Sequence, residues 1–94
     1  MFHALGAQVL YSNRSGAFAA LANYAMALTD AERCVALRPE WAKGHTRRAT
    51  ALHGLARFKT AIEAYDAALG LEPGSQQLLS GRRQSSFAWA VEAD

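Results

Sequence analysis

The sequence is poor in the features that would staple, anchor or activate a small chain. Cys34 is the only cysteine, so no disulfide can form within the chain and a reducing compartment such as the cytosol fits best. No apolar run reaches the roughly 18 residues of a membrane span, and the opening "MFHALGAQVL" lacks the basic start and small-residue cleavage site of a secretory signal. A soluble, cytoplasmic protein is expected, with no membrane partner. The net charge of +2 is too small to argue for nucleic acid. There is no Gly-rich phosphate loop, no paired carboxylates set with a histidine, and no Ser or Cys nucleophile in a recognisable setting, which argues against an enzyme. His3, His45 and His53 show no ligand-like spacing, so neither a metal nor any other cofactor is expected.

What the chain has in abundance is alanine. Of its 94 residues 51% are hydrophobic, but 21 are Ala, the best helix former rather than a strong core residue. The composition is all-α. Only two prolines occur, Pro39 and Pro73, and they are 34 residues apart. The same shift aligns "YSNRSGAF" with "HTRRATAL", Ala27 with Ala61, Ala31 with Tyr65 and Leu37 with Leu71 without a gap.

A 34-residue period of paired amphipathic helices is the tetratricopeptide pattern. Its aromatic, small, aromatic, Ala-x-x-x-aromatic and Pro places hold Tyr11, Ser15, Phe18, Ala27, Ala31 and Pro39 in one copy. The other copy has His45, Ala49, Leu52, Ala61, Tyr65 and Pro73. The pattern predicts a first repeat over 8–41, a second over 42–75 and a capping helix over 76–91, together one domain and one α-solenoid. Five helices are expected: about Gln8 to Ala22, Tyr24 to Leu37, Ala42 to Ala56, Phe58 to Gly70, and Ser75 to Val91. Tyr24 and Phe58 fall at the turns, where an aromatic packs across the hairpin. Gly81 raises the prospect of a break in the last helix.

Charge separates by helix. The first helices of the repeats carry Arg14, Lys43, Arg47 and Arg48 and no acid, while the second helices include Asp30, Glu32, Glu63 and Asp66. First helices line the inner groove of such solenoids, so a basic groove without acids is expected, suited to an acidic extended peptide. Lys43 and Arg47 lie four apart, which puts their side chains on one helical face, about 5–6 Å apart at Cβ.

The words "LYSNRS", "RPEWAKG", "RR" and "RF" resemble the carboxylate-clamp tetratricopeptide domains of chaperone cofactors. The match is to the second and third repeats and capping helix of the first such domain in the chaperone-organising co-chaperones. That resemblance implies a ligand, the C-terminal Glu-Glu-Val-Asp tail of the seventy- and ninety-kilodalton heat-shock chaperones. It places the clamp residues on Asn13, Lys43 and Arg47. Arg14 and Arg48 are either further peptide contacts or braces between helices. Two more clamp positions, a Lys and an Asn of the family's first repeat, find no match in this chain. With no upstream hairpin to cover Val9, Leu10, Phe18, Leu21 and Leu28, self-association through the N-terminal helices is expected. A self-associating scaffold segment without an intact peptide site is thus the alternative to tail binding.

Overall fold

A computed structural model describes residues 6–93. They form five helices: α1 (Ala7–Ala20), α2 (Tyr24–Leu37), α3 (Ala42–Gly54), α4 (Phe58–Leu71) and α5 (Gln76–Ala93). Each helix packs on the next in sequence, and α1 also touches α3 and α3 touches α5. Helices α1, α3 and α5 therefore make one layer and α2 and α4 the other. The body measures 51 × 28 × 17 Å.

The turns follow the period of the sequence. Asn23 N–H donates to Phe18 O at 2.8 Å and Ala22 N–H to Ala19 O at 2.9 Å; 34 residues on, Arg57 N–H donates to Leu52 O and Ala56 N–H to His53 O, both at 2.9 Å. These are paired Schellman closures, which need a left-handed residue just past the helix. That residue is Ala22 in one copy and Ala56 in the other, each at φ 60°. The bonds end α1 and α3 about two residues before the limits expected from sequence. Two side chains then start helices: Asn23 Oδ1 accepts from Met26 N–H at 3.3 Å, and Ser75 Oγ accepts from Leu78 N–H at 3.2 Å.

Small residues set the helix spacing. Ala49, Leu52, Ala61, Ala64, Tyr65, Ala68 and Leu78 make the central core, with Leu28 and Leu69 packed against it. Elsewhere helices meet through Ala27, Ala31, Cys34, Ser12 and Ser15, all at most 1% exposed. Of the two turn aromatics, Phe58 packs edge-on to His53 across its own hairpin, with ring centroids 5.1 Å apart. The Tyr24 ring instead lies against Gly54 at the end of α3. Helix α5 runs unbroken through Gly81, and a glycine stands there because the ring of Tyr65 occupies the space a side chain would need: a Cβ on Gly81 would lie 2.6 Å from it.

Candidate functional site

The α1 and α3 layer carries all five residues singled out from sequence, and it sorts them into two kinds. Arg14 and Arg48 are engaged within the chain. Arg14 donates through Nε and Nη2 to the two carboxylate oxygens of Asp30, each at 3.1 Å, and Arg33 reaches the same carboxylate at 3.4 Å. Both guanidinium groups also lie 5.5 Å from the centre of the Tyr11 ring. Arg48 approaches Glu32 at 3.8 Å, joining α3 to α2. The expectation of unpaired groove cations is corrected for these two: acids of α2 reach across the layer to meet them, an approach that linear spacing does not disclose.

Lys43 and Arg47 are of the other kind. Neither makes an ion pair among the described residues. Lys43 is exposed in the first turn of α3, and Arg47, half-buried, crosses to α1, where its Nε donates to Ser12 Oγ at 3.4 Å. Its guanidinium lies over the backbone of Gly16. Asn13, next to Ser12, is exposed on the same helix. Two cations thus stand one turn apart on α3, and an exposed amide follows, on the neighbouring helix, the serine that Arg47 meets. Such a set donates charge-assisted hydrogen bonds to a carboxylate, with Arg able to grip both oxygens, Lys acting as a point charge and Asn adding a donor without charge.

Lys43 and Arg47 also edge a cavity of about 200 Å³, shared with Trp41, Thr46, Ser75, Leu78 and Glu72. Trp41, between α2 and α3 at the junction of the repeats, forms one wall. Glu72 is a correction: the surface expected to be free of acids receives one from the α4–α5 connection. A larger hollow of about 520 Å³ runs along α5 past Leu79, Arg83 and Phe87, away from the three polar residues, and is shallow and open.

Beneath the site, Cys34 Sγ donates to Gln8 O at 3.3 Å. Burial raises the Cys34 pKa, and the positive charge of Arg47 opposes that rise only in part. The thiol is therefore neutral and packed. His3 lies outside the described residues; among those described, no three of His, Cys, Asp and Glu gather as metal ligands. No helix among them is long and apolar enough to cross a membrane.

Sequence reasoning missed Ser12, Gly16, Asp30 and Glu72 as neighbours of the cations. The small-residue signature at Ser15 and Ala49 points to close helix approach in general, but it does not show which long side chain fills which gap.

Comparison with known proteins bears on this surface. No family model matches the chain. It is 47% identical over 80 residues to the heat shock protein sti1 homolog of Schizosaccharomyces pombe, an alignment covering 85% of this chain and 14% of that protein. Over 83 residues it is also 47% identical to the Hsp70-Hsp90 organizing protein of Triticum aestivum, covering 88% of the chain and 14% of the relative. The chain thus spans about a seventh of the length of either relative. Among solved structures, the first TPR of Spaghetti (RPAP3) bound to the HSP90 peptide SRMEEVD superposes with a TM-score of 0.85 at 32% identity, covering 88% of this chain and 68% of that one. The first TPR domain of human RPAP3 gives a TM-score of 0.89 at 31% identity, with coverage of 92% and 68%.

Proposed function

The chain belongs to the tetratricopeptide-repeat family, and from that premise we propose that it is a protein-interaction module that captures the acidic C-terminal tail of a heat-shock chaperone of the seventy- or ninety-kilodalton class. One observation carries the reading: Lys43 and Arg47 lie one turn apart on α3 and have no acid partner among the described residues, while Arg14 and Arg48 on the same layer are each held by an acid of α2. Two cations left without acid partners, with a neutral donor on the neighbouring helix, suit the paired carboxylates of a terminal Asp. The structural neighbour bound to a peptide ending in Glu-Glu-Val-Asp supports the same ligand. In this role the chain binds and does not catalyse, and a cytoplasmic setting suits that partner.

The test is a titration with fluorescent peptides ending in Glu-Glu-Val-Asp, drawn from both chaperone classes, each as free acid and as C-terminal amide. The free acids bind, and Arg47→Ala weakens them about tenfold or more, the worth of one charge-assisted hydrogen bond, with helicity unchanged. Affinity falls with added salt, since the screening length drops from about 10 Å at 0.1 M to about 3 Å at 1 M. Equal binding of the amide would rule out capture of the terminal carboxylate.

A second reading has its own observation. Val9, Leu10 and Leu21 of the α1 hairpin are 44%, 53% and 77% exposed, while Phe18 and Leu28 are only partly so. This strip supports self-association of copies through the N-terminal helices, either beside tail binding or in place of it. Light scattering coupled to size exclusion checks it: a monomer at high micromolar concentration removes this reading.

A further inference from the structure

An arginine projecting from a helix into open solvent samples many rotamers, and most of them do not present its fork to a ligand. Arg47 is held in one. A Cβ built on Gly16 would stand 2.8 Å from Cζ and 2.8 Å from Nη1 of Arg47, and 3.0 Å from Nη2. Near-equal distances to three coplanar atoms mean that the guanidinium lies flat across the α1 backbone at a position without a side chain. One turn earlier, the Oγ of buried Ser12 accepts from Nε at 3.4 Å. That hydrogen bond uses the inner edge of the fork, and Nη1 and Nη2 have no acceptor among the described residues. They remain available beside Asn13, which follows Ser12 on the same helix.

We propose that Gly16, with Ser12, is a positioning residue for the carboxylate site: the bare backbone at Gly16 seats the guanidinium of Arg47 so that its two outer nitrogens face an incoming terminal carboxylate. This rests on the tail-binding reading above and adds to it a determinant that does not touch the peptide. Pre-setting the fork removes ordering that would otherwise oppose binding. A methyl at position 16 lifts the guanidinium off α1, because separations below 3.0 Å cannot persist and the flexible side chain is what yields. The helix itself accepts the change, since Ala is a better helix former than Gly.

The experiment is a double-mutant cycle with the free-acid Glu-Glu-Val-Asp peptide: wild type, Gly16→Ala, Arg47→Ala and the double variant, each at two salt concentrations and with thermal midpoints recorded. Gly16→Ala keeps or raises the midpoint, weakens the peptide about fivefold to tenfold and flattens the salt dependence; in the Arg47→Ala background it adds nothing. Ser12→Ala, which removes only the Oγ acceptor, gives a smaller loss in the same direction. If Arg47→Ala weakens binding while Gly16→Ala matches wild type or binds more tightly, the seat is refuted and tail binding stands. An equal loss from Gly16→Ala with and without Arg47 also refutes it, placing Gly16 in helix packing or peptide contact. Wild-type affinity in Arg47→Ala removes the tail-binding reading itself, and the seat with it.

Discussion

Asp30 of α2 is 1% exposed and accepts hydrogen bonds from both Nε and Nη2 of Arg14 on α1, so a carboxylate of one layer holds a cation of the other. Removing the arginine leaves that buried carboxylate with only the longer contact from Arg33. Arg14→Ala is expected to cost about 2–3 kcal/mol in urea unfolding. Arg33→Ala, which takes away the 3.4 Å contact of a side chain 53% exposed, is expected to cost less than about 1 kcal/mol. Equal losses would mean that the two bonds from Arg14 hold Asp30 no better than the single contact from Arg33.

Two glycines of the second half should respond in opposite directions. Gly81→Ala forces a methyl against the ring of Tyr65, which is 8% exposed, and is expected to destabilise the fold by about 1–3 kcal/mol. Gly70 has nothing within 4 Å of its would-be Cβ, so Gly70→Ala is expected to raise stability by about 0.5–1 kcal/mol. Thermal unfolding of the two variants side by side decides whether the close approach of α5 to α4 depends on Gly81.

The left-handed alanines predict a gain. Ala22 and Ala56 hold φ 60° at the same place in the two hairpins, a conformation that is costly with a Cβ and easy without one. Replacing each by Gly is expected to add up to about 1 kcal/mol, and the two gains should sum, because the turns are separate. A fall in the midpoint with either change would show that the turn tolerates alanine without strain.

Alkaline solution should loosen the fold. Burial raises the Cys34 pKa above its ordinary value of 9.0, with Arg47 opposing, and burial raises Tyr65 above 10.0, with Thr50 opposing. In both cases the folded state keeps its proton at a pH where the unfolded chain releases it. Their contribution to stability is therefore whole below pH 9.0 and is lost as pH climbs through the raised folded values. Thermal midpoints measured from about pH 7 to about pH 11 should fall above pH 9, and Cys34→Ala should lessen the first part of that fall. A flat profile would contradict the burial of these two groups.

The helices, their order and their pairing could be read from the chain because they rest on local or periodic signals. A 34-residue shift, prolines that stop helices and alanine at the close approaches all act within a few residues or repeat at a fixed interval. The facing of Lys43 and Arg47 could be read for the same reason, since four residues return a helix to one side. What lay beyond reach was every relation set by how helices rotate about their axes to fit the core. Arg14 and Asp30 stand 16 residues apart, as do Arg48 and Glu32, and only the packed α1–α2 and α2–α3 faces bring those partners together. Glu72 enters the cavity because the α4–α5 connection turns back toward Trp41, and Arg47 comes to rest on Gly16 because α1 and α3 lie side by side. A long side chain takes whichever gap the neighbouring helix leaves, and that gap exists only after the small residues between the helices have closed.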